Sequence, residues 1–306
     1  MISQLIIGGL ASGSLYALIG IAIVLVLQAT EVPNFAQGEM AMFATFVAYT
    51  LLTTYGLSWW LVLPLTLVFA AVQGIVVQQV VIRPLLGAPI VNAVIATLGL
   101  NLTLHSVAGM IWGNQTNVLP SPVADLPVFK LLGVNVSPDS ALTIVVSVAM
   151  IILFTLILRH SRAGIALRAA SQNQAVAKLM GIAVSRSFAL AWAMGAMAGA
   201  VAGILVAPIL FLDVNLMGAL LIKGFAGAVL GGLSSLGGVF VGGLLLGIVE
   251  NLLGAYVSGT FSEALSFTLI IVVLIIAPTQ TATTATSRRS RRAAAGIAGL
   301  TIGGPC

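Results

Sequence analysis

Apolar runs of about twenty residues recur along most of this chain, and they limit its possible folds more than any other feature. Hydrophobic residues make up 60% of the 306 residues and charged residues only 6%, whereas a soluble domain carries roughly a quarter of charged residues. An apolar run of this length crosses a bilayer as a helix, because a helix satisfies its own backbone hydrogen bonds. The sequence therefore predicts an all-α polytopic membrane protein.

The limits of the apolar runs predict eight or nine transmembrane helices. They cover residues 4–29, 36–54, 59–82, 90–111, 140–158, 187–207, 217–233, 237–254 and 262–278. The run at 217–233 is short, rich in glycine and interrupted by Lys223, so it either crosses the membrane or re-enters it. Repeated glycines at four-residue steps, such as Gly195, Gly199 and Gly203, further predict closely packed helices.

Basic residues predict the orientation of the chain, because they collect in cytoplasmic loops. The window 159–186 contains five of them, and the tail carries RRSRR at residues 288–292. Placing both segments inside puts the N-terminus outside and the C-terminus in the cytoplasm. The net charge of +5 then reflects topology, and no nucleic-acid partner is expected.

The segment EVPNFAQGEMAMF, residues 31–43, places polar groups between the first two runs. Pro33 ends the first helix, Asn34 is a favourable N-cap, and Gln37 occupies the capping-box position three residues later. The pattern predicts a second helix that begins at Asn34, with Glu39 about 7 to 8 Å inside it, near the cytoplasmic face. These residues either stabilise a helix start or form a polar hinge beside a transport pathway.

Polar residues also recur along the fourth run, at Asn92, Thr97, Asn101 and His105. Steps of four or five residues place them loosely on one helix face, which is either a polar packing seam or a surface that lines a solute path. His105 lies near no Cys, Asp or Glu in the sequence, and a metal site needs several ligands, so no metal centre is predicted.

Lys223 and Glu250 fall in the outer halves of the seventh and eighth predicted spans. They either form an ion pair, which lowers the cost of burying both charges, or extend separately to the outer interface. Neither a nucleophile–base pair nor a G-x-x-x-x-G-K-[ST] motif occurs in the sequence. No catalytic residue is therefore predicted, and the chain is not expected to be an enzyme.

The stretch RAASQNQAVAKLMGI, residues 168–182, lies in the basic cytoplasmic window. Its alanines predict one short surface helix, and Gly181 predicts the end of that helix. The small residues Ala169, Ala170, Ala175 and Ala177 would allow close approach of another protein. The alternative is a topology loop without a partner.

Four segments, in order along the chain, resemble the permease subunits of branched-chain amino acid ABC importers. They are VPNFAQGEMAMFATF, IATLGLNL, RAASQNQAVAKLMGI and KGFAGAVLGGLSSLGGVFVGGLLLGIVENL. The resemblance covers residues from about 5 to 277 and stops after Pro278. It implies a multi-pass subunit of the bacterial inner membrane, paired with a second permease that is homologous or identical. It also implies two cytoplasmic ABC ATPase subunits and an extracytoplasmic solute-binding protein.

The resemblance makes residues 168–182 similar to the coupling helix that contacts the ATPase. The residues that it assigns to coupling are Arg168, Ala169, Ala170, Asn173, Ala177, Met180, Gly181 and Ile182. The polar residues within the spans are the candidates for a pathway or gate, namely Asn34, Gln37, Glu39, Asn92, Thr97, Asn101, Lys223 and Glu250.

The expected organisation is a transmembrane permease domain at residues 1–278, with a coupling loop at 159–186, and a disordered tail at 279–306. No cofactor is expected, because partner subunits would bind ATP. The resemblance favours leucine, isoleucine or valine as solute and leaves other amino acids, urea and short amides open. A stand-alone secondary transporter or channel is the alternative function. A membrane-embedded enzyme would need a paired acid and base, which the sequence does not suggest.

Overall fold

The computed structural model describes residues 2–131, 134–233, 235–256 and 268. The α-helices within these residues are α1 Ile2–Thr30, α2 Gln37–Thr53, α3 Trp59–Val77, α4 Ile90–Trp112, α5 Pro138–His160, α6 Arg162–Gln172, α7 Gln174–Leu179, α8 Val184–Leu210, α9 Leu216–Gly231 and α10 Leu236–Tyr256. A π-helical turn and a 3-10 turn extend α3 to Leu85. A small antiparallel hairpin, β1 Phe129–Leu131 and β2 Val134–Val136, precedes α5 and was not predicted.

Helices cover the first eight predicted spans, and the ninth, at residues 262–278, lies outside the described residues. Six of the helices are long and apolar enough to cross a membrane, namely α1, α3 with its extension, α4, α5, α8 and α10. The two remaining spans correspond to α2 with 17 residues and α9 with 16, fewer than the roughly 20 that a full crossing needs. The chain is a polytopic helical membrane protein.

Helices α1 and α8 form the centre of the bundle. The apolar window of α1 is 83% buried and that of α8 is 78% buried, whereas that of α4 is only 11% buried. Helices α2, α3, α5, α9 and α10 pack directly on α1 or α8, whereas α4 packs mainly on α2. The peripheral helices therefore provide most of the surface that meets lipid or another subunit.

The contact between α1 and α10 depends on glycine. A Cβ atom added to Gly243 would lie 2.5 Å from the backbone nitrogen of Ala17, and one added to Gly247 would lie 2.3 Å from that of Gly13. No side chain fits at these distances, so glycine lets the two backbones touch. The predicted close packing of the glycine-rich helices is confirmed.

The start of α2 differs from the prediction. The helix begins at Gln37 instead of Asn34, and the N-cap residue, Ala36, provides no side-chain cap. Asn34 instead accepts a hydrogen bond from the backbone N–H of Ala36 at 3.1 Å and donates one to Oε1 of Gln37 at 3.1 Å. The predicted boundary was wrong because the Asn34 side chain closes a local turn ahead of the helix, a common alternative to capping.

The position of α2 in the bundle also corrects the prediction. Nε2 of Gln37 donates a hydrogen bond of 2.9 Å to the carbonyl oxygen of Gly195, which is near the middle of the 27-residue α8. Residues 31–36 are not helical and carry the chain back from the end of α1 to this level. Helix α2 therefore starts inside the bundle, and Glu39 lies deeper than the sequence predicted.

Candidate functional site

The segment predicted as one surface helix forms two helices, α6 and α7. Asn173 separates them with an extended backbone, at φ −157° and ψ 103°, and its side chain accepts hydrogen bonds from the backbone N–H groups of Ala175 and Val176. The prediction of a single helix was wrong, because an asparagine that caps the following helix ends the preceding one.

Two alanines of α6 and α7 face inward, whereas Ala163 and Ala175 are exposed. Ala170 is 0% exposed and Ala177 is 3% exposed, and both belong to a cluster with Ala29 of α1 and Phe188 of α8. The expectation that Ala170 and Ala177 form an approach surface for another protein is therefore wrong. These small side chains instead let α6 and α7 pack closely on the ends of the two central helices.

The outward side of α7 carries apolar side chains. Leu179 is 86% exposed, Met180 is 77% exposed and Val176 is 53% exposed. Sequence reasoning selected Met180 but missed Val176 and Leu179. The signal was present for Leu179, because a residue two positions from the buried Ala177 lies on the opposite side of the helix.

The remaining predicted coupling residues surround this outward side. Arg168, Asn173 and Gly181 are exposed, whereas Ala169 and Ile182 are half-buried. Nη2 of Arg168 donates a hydrogen bond of 3.3 Å to the carbonyl oxygen of Arg159 at the end of α5. A guanidinium at a helix C-terminus is favourable, since the helix dipole is negative there.

Gly181 ends α7 in the predicted way. Its φ of +77° lies in the left-handed region, its N–H bonds to the carbonyl of Lys178, and the N–H of Ile182 bonds to that of Ala177. This pair of hydrogen bonds is the Schellman arrangement that satisfies the last carbonyls of a helix. The glycine therefore fixes the direction in which the chain leaves α7 and enters α8.

We expect Gly181→Val to distort the end of α7, because a β-branched residue is strained at positive φ by roughly 1–2 kcal/mol. Nothing lies within 4 Å of the position that a Cβ atom would take, so strain and not a clash is the cause. Because this segment resembles the coupling helix of ABC importer permeases, solute-stimulated ATP hydrolysis by such a transporter should then fall several-fold. Gly181→Asn, which tolerates this conformation better, should retain more activity. Equal activity of the two variants would contradict the prediction.

Polar contacts join α2 and α4. Nδ2 of Asn101 donates to the carbonyl oxygen of Phe35 at 3.2 Å, and Nδ1 of His105 lies 3.4 Å from Oε2 of Glu39. Two turns further along α4, Nε1 of Trp112 donates to Oγ1 of Thr50 at 2.8 Å. The ring of Trp112 also stacks on that of Phe46. The two helices therefore run parallel, with Glu39 in the first turn of α2 beside His105 in the second half of α4.

The Glu39–His105 contact is close but not hydrogen-bonded. Oε2 of Glu39 is buried and has no hydrogen-bond partner among the described residues. The Glu39 side chain is 13% exposed and that of His105 is 39% exposed. The pair thus combines a sheltered carboxylate with an imidazole that reaches the surface of the chain. The sequence did not suggest this partnership, because the two residues belong to different helices.

The other pathway candidates on α4 do not join this pair. Thr97 is fully buried and donates to the carbonyl of Val94 in its own helix. Asn92 is exposed near the start of α4. Asn34 and Gln37 bond to each other and, through Gln37, to α8.

The exposed face of α4 differs from that of α3. Every exposed residue of α3 is apolar, as expected where a helix meets lipid. The exposed face of α4 instead includes polar or small residues, namely Asn92, Gly99, Thr103 and Ser106. Such residues are typical of helix contacts and of water-lined surfaces within membranes.

Lys223 and Glu250 form the ion pair that the sequence left open. Nζ of Lys223 lies 2.5 Å from Oε1 of Glu250, and the two side chains are 17% and 12% exposed. The ammonium also lies 5.6 Å from the centre of the Tyr16 ring, at a distance suited to a cation–π interaction. This pair joins α9 and α10 to α1, apart from the polar contacts of α2 and α4.

Among the residues that the structure describes, no three His, Cys, Asp or Glu side chains group closely enough to hold a metal ion.

The fold and these contacts define a multi-pass helical membrane protein with ionisable pairs inside its bundle and a fixed helix pair, α6 and α7, at one end. Residues 5–277 match the family described as the branched-chain amino acid transport system permease component. The chain belongs to this family.

Relatives from bacteria and an archaeon agree with this assignment. The chain is 31% identical to the high-affinity branched-chain amino acid transport system permease protein LivH of Salmonella typhimurium, over 90% of this chain and 94% of that protein. It is 32% identical to the probable branched-chain amino acid transport permease protein LivH of Methanocaldococcus jannaschii, over 89% of each chain.

The permease protein BraD of Pseudomonas aeruginosa is 31% identical, over 90% of this chain and 94% of that protein. A solved structure, PsaBC from Streptococcus pneumoniae in complex with Fab, aligns with a TM-score of 0.48 and 14% identity. That alignment covers 91% of this chain and 92% of that one.

Proposed function

We propose that this chain is the membrane-spanning permease subunit of an ATP-driven ABC importer that carries leucine, isoleucine and valine. Support comes from relatives named as branched-chain amino acid permeases that align along about nine-tenths of the chain. The structural observation that carries the proposal is the α6–α7 pair, which is anchored inward by alanine and presents exposed Leu179 and Met180 outward. A partner that binds there can act on α1 and α8 directly.

The proposed organisation follows from the charge distribution. Nine crossings, with the 217–233 segment spanning, would put the N-terminus outside and the C-terminus in the cytoplasm of a bacterial plasma membrane. Residues 1–278 form the permease domain, in which 159–186 face the cytoplasm as the coupling loop. The tail predicted at residues 279–306 lies outside the residues that the structure describes.

The proposed partners are two cytoplasmic ABC ATPases, a second permease that is homologous or identical, and an extracytoplasmic solute-binding protein. ATP binds to the ATPases, and the permease itself needs no cofactor. Closure of the ATPases draws the two α6–α7 pairs together and converts the pathway between its outward- and inward-facing states.

The solute path runs between α2 and α4 in this proposal, along the side of α4 that carries Asn101 and His105 and opposite its exposed polar face. Glu39 and the polar turn at Asn34 and Gln37 lie beside this path, since α2 packs on that side of α4. The Lys223–Glu250 pair fixes helices and does not line the path, because it joins α9 to α10.

Purification and reconstitution test the proposal. The tagged chain should copurify with a stoichiometric Walker-A ATPase, and the complex should take up leucine in proteoliposomes only with ATP and its binding protein. Urea and short amides serve as competing solutes. Uptake by the isolated chain without ATP would overturn the proposal in favour of a secondary transporter or channel.

A further inference from the structure

We propose that Glu39, His105 and Asn101 form a site in the permease that binds the charged groups of a zwitterionic amino acid. The Glu39 carboxylate receives the α-ammonium group, and His105 with Asn101 receives the α-carboxylate. This inference rests on the proposed function. It adds that the permease itself recognises the α-ammonium and α-carboxylate groups of the solute.

The geometry supplies both an open acceptor and nearby donors. Oε2 of Glu39 is buried without a hydrogen-bond partner in the described part of the chain, although His105 lies only 3.4 Å away. A buried carboxylate oxygen without a partner is costly. An ammonium group offers three N–H donors and would satisfy it. The carbonyl oxygen of Phe35, now bonded to Asn101, is a second acceptor on the same side.

Charge balance favours a zwitterion over other solutes. Glu39 supplies an acidic group and His105 a basic one, 3.4 Å apart. A zwitterion carries the complementary groups and has no net charge, so its two charges can both be paired inside the membrane span, where unpaired charge is expensive. Urea and amides would pair neither group, and acidic or basic amino acids would add an unpaired charge.

The surroundings suit an aliphatic side chain. Phe35 is 42% exposed, Leu98 is 46% exposed and Leu102 is 69% exposed. Leu98, Leu102 and His105 follow one another at steps of four and three residues along α4, so they share a helix face. A solute held by its charged groups at Glu39 and His105 would place a branched apolar side chain against these residues.

Leucine uptake by the complete reconstituted transporter, with its ATPase and binding protein, tests the site. Glu39→Gln and His105→Gln should each lower leucine transported per ATP hydrolysed by about tenfold. The double variant should lose no more than either single variant, because the pair acts as a unit. Thr103→Ala is the matched control, since Thr103 is an exposed polar residue on the same helix and its hydroxyl bonds only within α4.

Two further measurements separate this site from a structural ion pair. The melting temperature of the complex and its stimulation by the binding protein should stay near the wild-type values in Glu39→Gln, while uptake falls. Uptake that falls only in proportion to stability or assembly would overturn the site, and so would unchanged uptake. A wild-type transporter that takes up no leucine with ATP would refute the proposed function instead.

Discussion

Replacing Glu250 by leucine should strongly reduce the amount of folded permease. The substitution leaves the Lys223 ammonium inside the bundle without its carboxylate, and removing one partner of a buried ion pair costs about 3–5 kcal/mol. Both side chains are less than one-fifth exposed, so water compensates little. Size-exclusion chromatography of a fluorescent fusion should show a loss of monodisperse protein and a lower melting temperature.

The double variant Glu250→Leu with Lys223→Met is the control for this prediction. Replacing both charges by apolar groups of similar size is often neutral, so the double variant should recover most of the folded protein. Transport by the double variant should also be retained, because the pair joins helices and does not touch the proposed solute site. A single Glu250→Leu variant as stable as the wild type would contradict the prediction.

Replacing Leu179 by aspartate should detach the ATPase. Leu179 is the most exposed of the apolar side chains on α7, and burial of such a residue at the centre of an interface typically contributes about 2–4 kcal/mol. An aspartate would place a charge in that contact. A loss of about 2–4 kcal/mol weakens binding by roughly 30-fold or more, so copurification of the ATPase should fall by at least that factor. The stability of the permease should change little.

Leu126→Asp is the matched control, because Leu126 is also an exposed leucine, at 58%, but follows α4 in the loop before β1. It should leave ATPase copurification unchanged. Retention of the ATPase by Leu179→Asp would remove the outward side of α7 from the proposed interface. Loss of the ATPase in both variants would indicate general misfolding.

Helix positions along the chain could be predicted from the sequence because the bilayer sets the length of an apolar run. The depth at which a helix lies within the bundle could not be predicted. The pattern from Asn34 to Gln37 marks a change of direction correctly, but the hydrogen bond from Gln37 to Gly195, 158 residues further along the chain, sets the level of α2. Contacts at that separation leave no local signal.

The candidate site was predictable in its parts and not in its pairing. Glu39, Asn101 and His105 stood out as polar groups within apolar runs, but His105 was predicted to share a face with Asn101 and not to meet Glu39. Its position beside Glu39 depends on the parallel packing of α2 and α4. On α7, the identity of a residue was less informative than its direction, since Ala177 faces the bundle and Leu179 faces outward.

The attachment of α6 and α7 has a mechanical consequence. Ala170 and Ala177 pack against Ala29 and Phe188, which belong to the two most buried helices of the described bundle. Helix α1 in turn touches α10 backbone to backbone at glycine, so there is no compressible layer of side chains between them. In the proposed transporter, a force applied to α6 and α7 would therefore displace α1, α8 and α10 together as one rigid unit.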